Sequence, residues 1–184
     1  MRKVIAGINM TLDGFCDHTA IIPDEEMHQH YTDLLNDSGV VLYGSITYQL
    51  MEYWPTILKE PSGIKETDEF AIAIDRIPKV VFSRTLKKLD WETARLATRN
   101  LKEEILTLKH EEGKDILVGS PSLIIALTQL GLVDEYQFCL HPVIAGSGMS
   151  LFKDINNRIV LKLVKTKILG SGAIVLYYHP ILTH

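Results

Sequence analysis

The sequence is short of several things, and each shortage removes a class of function. It has two cysteines, Cys16 and Cys139, with no CxxC pair and no spacing that suggests a disulfide framework. No apolar run approaches the ~18 residues that would cross a membrane. The opening stretch, MRKVIAGINM, lacks the long apolar core and cleavage site of a secretory leader and reads as a strand. A cytoplasmic protein is therefore expected. Positive charge is scarce as well: 19 Lys and Arg against 23 Asp and Glu leave a net charge of −4. The basic residues are scattered rather than striped, which speaks against a nucleic-acid groove.

Motifs are missing too. There is no GxGxxG, no P-loop and no GxSxG, and neither cysteine has an obvious partner base. His28 and His30 lie two apart, so on a helix they point in different directions and cannot chelate as an i, i+4 pair can. His141 precedes Pro142 at an expected strand end, a structural position. No metal site is expected, and hydrolase chemistry has little support.

What is present is an ordinary globular composition, 46% hydrophobic and 23% charged, in a chain long enough for one sizeable core. A single α/β domain over residues 1–184 is expected. KVIAGIN (3–9), VVLY (40–43), KVVFS (79–83), ARLAT (94–98) and KDILVG (114–119) read as strands. The stretch 23–39 reads as a helix with Pro23 and acids at its start and Met27, Tyr31, Leu34 and Leu35 on one face. A short helix follows Gly44, with Pro55 interrupting the pattern. Further helices are expected at 67–77, capped by Thr67 or Asp68, at 100–113, capped by Asn100, and at 120–131, with Pro121 in its first turn. After residue 131 the pattern changes to strands at 133–144, 159–169 and 173–180, the last two joined by Gly170-Ser171-Gly172 as a hairpin. Strand–helix alternation followed by a strand-rich tail predicts a mostly parallel sheet with antiparallel C-terminal strands.

Two strand-to-helix turns carry the chemistry best. LYGSITY places Gly44, Ser45 and Thr47 at a strand's carboxyl end, and ILVGSPSL does the same with Gly119, Ser120, Pro121, Ser122 and Leu123. Ligands of open α/β sheets lie at such strand ends, and helix N-termini favour anions. Two turns of this kind could bind the phosphates of one nucleotide, although glycine and serine are also good turn and cap residues. FSRT adds Ser83 and Arg84 just past another strand, where a guanidinium could hold a phosphate. Asp13 follows the first strand in a turn before Gly14, and Asp24, Glu25 and Glu26 open the first helix. Either region could supply a proton donor, and the residues alone do not choose between them.

Read in order, VIAGINMTLDGF, LYGSITYQLMEYWP, KVVFSRTL, GKDILVGSPSLIIALTQLGLVDEY and HPVIAGSGMSLF resemble the successive blocks of the dihydrofolate reductase-like superfamily. The similarity is greatest to the branch that contains the bacterial riboflavin-biosynthesis reductase domain, and it runs from residue 2 to about 180. The resemblance implies a three-layer fold, NADPH across the strand ends, and a homodimer built on the antiparallel tail. It places Ala6 and Gly7 at the nicotinamide amide and residues 10–15 as a mobile loop over the substrate. Gly44, Ser45 and Thr47 would face the cofactor phosphates, Ser83 and Arg84 the adenosine 2′-phosphate, and Gly119 to Leu123 the pyrophosphate. Asp13 would be the catalytic polar contact, orienting substrate or relaying a proton. The family usually reads Gly-Arg-x-Thr-Tyr at the first turn, so Ser45 stands where an arginine is expected. The leading expectation is an NADPH-dependent reductase of a small heterocycle or a ribosylamino-pyrimidine-like compound. The alternatives are a nucleotide- or flavin-binding homodimeric protein without turnover, and a homodimeric module that keeps only the fold.

Overall fold

In the computed structural model, which describes residues 1–181 apart from 17, 22, 154 and 156, the first strand already shows how the layers are sorted. Strand β1 (Val4–Thr11) alternates its side chains between two faces. Val4, Ala6, Ile8 and Met10 enter one core cluster, and Ile5 enters the other.

The first helix, α1 (Glu25–Asp37), begins where Asp24 accepts a hydrogen bond from the Met27 N–H at 2.7 Å, an N-cap with Glu25 and Glu26 behind it. It lays Met27, Leu34 and Leu35 against the sheet and ends as β2 (Ser38–Gly44) begins. Helix α2 (Ser45–Met51) follows directly. Pro55 does more than interrupt this helix: it sits in the first turn of a new one, α3 (Trp54–Lys59), where a missing N–H costs nothing. Helix α4 (Lys65–Arg76) starts before the expected cap. Asp68 instead reaches back from its first turn, accepting from Ser62 N–H at 2.8 Å, the Ser62 hydroxyl at 2.7 Å and Gly63 N–H at 3.2 Å. The cap residue is Ile64, which has no side chain to offer.

Strands β3 (Lys79–Phe82) and β4 (Ala94–Leu96) come next, then α5 (Leu101–His110), capped by Asn100 as expected. The chain continues through β5 (Asp115–Val118), α6 (Pro121–Gln129), β6 (Glu135–His141), β7 (Val160–Ile168) and β8 (Ile174–Ile181). The eight strands form one sheet in the order β4-β3-β2-β5-β1-β6-β8-β7. Pairing is parallel from β4 to β6; β8 runs antiparallel to both of its neighbours. Helices α5 and α6 cover one face through Ile105, Leu108, Ile124 and Leu127, and α1 and α4 cover the other through Leu34, Leu35, Phe70 and Ile74. The three-layer α/β arrangement with an antiparallel tail agrees with the sequence expectation. The consequence for function lies in the parallel part: the carboxyl ends of β1, β5, β2, β3 and β4 stand in a row along one rim.

Candidate active site

The rim opens at β1. Its pairing with β5 stops at Ala6↔Val118, while its pairing with β6 continues to Thr11↔His141. Beyond Ala6 the β5-facing edge of β1 therefore has no strand beside it among the described residues. Ala6 is fully buried. Gly7 is in close contact with the layer above, since a Cβ there would come within 3.0 Å of Leu34 Cδ2 and 3.3 Å of Leu117 Cδ1. This glycine lets α1 lie close over the open edge.

The two glycine turns meet next to that gap. The Gly44 N–H donates to the Ser120 hydroxyl at 2.9 Å, and a Cβ at Gly44 would sit 3.3 Å from Ser122 Oγ. Ser120 is fully buried and braces the neighbouring turn instead of capping its own helix. The first backbone bond of α6 runs from Ile124 N–H to Ser120 O at 2.9 Å, so the Ser122 and Leu123 N–H groups precede it. Pro121 holds the first helical position, and the Leu123 side chain is buried in the core beneath. Ser122 is exposed; Ser45 and Thr47 are half-buried. Position 45, at this seam, is serine and brings no charge to it.

Strand β3 continues the row, with Gly44↔Phe82 in register. Ser83 accepts from Leu86 N–H at 2.9 Å and from Thr85 N–H at 3.2 Å, a tight turn that leaves Arg84 exposed at its apex. The structure thus brings the Gly44, Gly119 and Ser83 turns together, with Ala6 and Gly7 one strand further along.

Asp13 lies at the other side of the opening and is fully engaged. Its Oδ1 accepts from the Thr11 hydroxyl at 2.6 Å and from Ala145 N–H at 3.1 Å, and its Oδ2 accepts from Gly146 N–H at 2.7 Å. These donors, Thr11 first and then Gly146 and Ala145, hold its carboxyl down at about 2. A carboxylate in this state has no proton to give near neutrality. The loop it belongs to, expected as a mobile cover over the substrate, bonds to the segment after β6: Leu12 N–H donates to Val143 O and Cys16 N–H to Met149 O, both at 2.8 Å. The acids at the start of α1 are also occupied. Asp24 Oδ2 accepts from Ser171 N–H at 3.0 Å and Glu26 from Gly170 N–H, holding the β7–β8 hairpin.

Beneath the opening lies a polar group that no sequence motif signalled. His141 Nε2 and Asn9 Oδ1 are 3.0 Å apart, and Cys139 Sγ is 3.6 Å from the same ring nitrogen. Burial lowers the His141 pKa, which favours the neutral ring, and pushes the Cys139 thiol up to about 12. Among the described residues the Tyr31 hydroxyl, buried there, has no hydrogen-bond partner, and burial keeps its pKa well above the usual phenol range. Parity was the only available clue, since Asn9 follows Gly7 on the α1-facing side of β1. Among the described residues no cluster of three or more His, Cys, Asp or Glu side chains is arranged to hold a metal, and no helix is long and apolar enough to cross a membrane.

Comparison with known proteins adds the family. Residues 2–175 match the RibD C-terminal domain. The chain belongs to that family. It is 36% identical to the uncharacterized protein YyaP of Bacillus subtilis (strain 168), over 97% of this chain and 95% of that one. Two solved structures share the fold of this RibD-type domain. One is a pyrimidine reductase-like protein from Corynebacterium diphtheriae, 15% identical with a TM-score of 0.69, covering 99% of this chain and 93% of that one. The other is a diaminohydroxyphosphoribosylaminopyrimidine deaminase/5-amino-6-(5-phosphoribosylamino)uracil reductase from Thermotoga maritima, 17% identical with a TM-score of 0.67. This chain is covered to 98% there and corresponds to 57% of that longer protein. The chain is thus a RibD C-terminal-type domain by family, with the fold of those two proteins.

Proposed function

We propose that this chain is a reductase that lays NADPH along the carboxyl ends of β1, β5, β2 and β3 and reduces a small heterocycle of the ribosylamino-pyrimidine class. The observation that carries the reading is the row of turns itself: an unpaired edge of β1 beyond Ala6, the Gly44–Ser120 seam beside it, and the Ser83–Arg84 turn beyond. The donors present fit the cofactor. A strand edge beyond Ala6 and Gly7 complements a carboxamide, and the Ser122 and Leu123 N–H groups with the Ser45, Thr47 and Ser122 hydroxyls suit a pyrophosphate. Arg84 suits a phosphomonoester. Bound there, the cofactor supplies a hydride at the end of β1.

The protein's own part is to orient and to exclude water. Asp13 does this by fixing the turn after β1 against residues 145–146, which makes it a holder of the substrate-side wall and not a proton donor. The buried Tyr31 hydroxyl is a donor held close to β1 in this arrangement. The test is consumption of NADPH, followed at its nicotinamide absorbance, with a panel of aminopyrimidine ribosides and pterins. Turnover with one of them is expected; absence of oxidation across the panel contradicts the catalytic half of the proposal.

A second reading has specific support. Ser45 removes a cation from the phosphate seam, and the oxygens of Asp13 are already engaged, so a nucleotide- or flavin-binding protein without turnover fits the same geometry. Binding without oxidation selects it. In either case we propose a homodimer formed through the tail, where β7 exposes Leu163, Val164 and Ile168. Light scattering that reports a monomer at working concentration contradicts the dimer.

A further inference from the structure

Strand β1 has one residue that is not buried. From Val4 to Thr11 every residue is enclosed except Asn9, which stands beyond Ala6, where the pairing with β5 has ended. Its orientation is fixed from below. An amide oxygen can only accept, so the His141 Nε2 that lies 3.0 Å from Asn9 Oδ1 carries a hydrogen and donates it. His141 is 2% exposed and is held by the pairing of β1 with β6, through Asn9↔Cys139 and Thr11↔His141. With Oδ1 engaged, the Asn9 Nδ2 group has no hydrogen-bond partner among the described residues and keeps both of its hydrogens to offer.

A second donor stands on the same face. Side chains two apart on a strand share a side, and the Tyr31 ring packs over Gly7, its Cε1 4.0 Å from where a Cβ would be. Gly7 and Asn9 are roughly 7 Å apart along the strand, comparable with the width of a six-membered heterocycle that carries acceptors on two edges. Among the described residues the buried Tyr31 hydroxyl has no partner. A buried hydroxyl left unpaired costs stability, and packing alone does not call for it, because phenylalanine fills the same space. The segments that frame this face also carry no cation: there is no Lys or Arg from Val4 to Leu58, or from Tyr136 to Phe152. Lys165 and Lys167, whose charges act on His30, lie on β7 beyond β8, and the Lys165 ammonium sits over the Tyr177 ring at 5.0 Å. Two neutral donors suit the carbonyl and ring-nitrogen acceptors of an uncharged ring, and they do not compensate for desolvating a phosphate.

We infer that Asn9, oriented by His141, and Tyr31 are the donors that hold the substrate, and that this substrate is an uncharged, lactam-type heterocycle without a phosphate. The inference rests on the reductase reading of the rim and names the substrate class for it. The experiment is calorimetric titration of the full chain and of its Y31F and N9D variants with 5-amino-6-ribosylaminouracil, its 5′-phosphate and NADPH, with melting temperatures measured in parallel. Wild type is expected to bind the riboside more tightly than the phosphate by roughly 10-fold or more. N9D keeps an acceptor for His141 and loses the donor, and Y31F loses the hydroxyl alone. Each should weaken the riboside by roughly 10-fold and change NADPH by less than about twofold. Y31F should also melt no lower than wild type, a pairing of intact stability with lost affinity that a merely structural tyrosine does not give. Tighter binding of the phosphate than of the riboside, riboside affinity unchanged in both variants, or no binding of either compound to wild type overturns the inference, and the reductase reading then stands on NADPH alone. Riboside binding without NADPH binding contradicts the reductase reading and leaves the two donors as a ligand site.

Discussion

The Gly44 N–H and the Ser120 hydroxyl, 76 positions apart in sequence, meet at 2.9 Å and lock the turn after β2 to the turn after β5. Because Ser120 spends its oxygen on that neighbour, its own helix begins without a side-chain cap. The bond thus fixes the seam and frees donors along it. Ser120→Ala should leave the part-buried Gly44 N–H without an acceptor, at a cost of ~1–3 kcal/mol. Urea unfolding should register that loss, and NADPH affinity should fall with it. Unchanged stability and unchanged affinity would contradict the role assigned to the bond.

Position 45 lends itself to the opposite experiment. Ser45 is half-buried at the start of α2, beside the seam and without a cation. Ser45→Arg should add one charged hydrogen bond to the cofactor phosphates and tighten NADPH and NADH together, by roughly 10- to 100-fold. A change confined to NADPH would mean that the 2′-phosphate lies at this turn and not at Arg84.

Asp13 makes a pH prediction. Its carboxyl is held at about 2, below its ordinary value of 3.8, by Thr11, Gly146 and Ala145. A group whose folded value is depressed contributes stability that is present above the unfolded value and is lost as pH falls through the folded one. The melting-temperature gap between wild type and Asp13→Asn should therefore stay constant from pH 5 to 8 and narrow below about pH 4. The pH–rate profile between 5 and 8 should contain no limb that Asp13→Asn removes.

His30 runs the other way. Burial first, and Lys167 second, hold its imidazole down at about 4. The unfolded chain takes up this proton near pH 6.5 and the folded one does not, so stability falls as pH drops from about 6.5 towards 4. His30→Gln should remove up to about 3 kcal/mol of that acid sensitivity, measured as a shallower fall of unfolding free energy over the same window. An unaltered slope would show that the ring is already charged in the fold.

Much of the architecture could be read from local pattern. Apolar runs closed by Gly44 and Gly119, the acids opening the first helix, the Asn100 cap and the glycine hairpin at 170–172 are short-range signals, and elements formed where they stood. The turns along the rim were legible for the same reason, since a glycine and a hydroxyl after a buried strand announce themselves. Contacts between distant segments were not. Asp13 looked like a free acid because the N–H groups that occupy it, at Ala145 and Gly146, lie more than 130 residues away. Asp68, only five and six positions from its partners Gly63 and Ser62, was a different case: it looked like a cap because the path of that loop was not defined by the sequence. Asn9 and Tyr31 carry no motif, and their importance comes from burial.

The most direct measurement is calorimetric titration of the purified protein with NADPH, with NADH in parallel. Micromolar binding of NADPH with weaker binding of NADH is the predicted result, since the seam holds the part common to both and Arg84 holds the extra phosphate. Failure of both to bind at millimolar concentration would contradict the cofactor rim, and with it the reductase proposed for this chain.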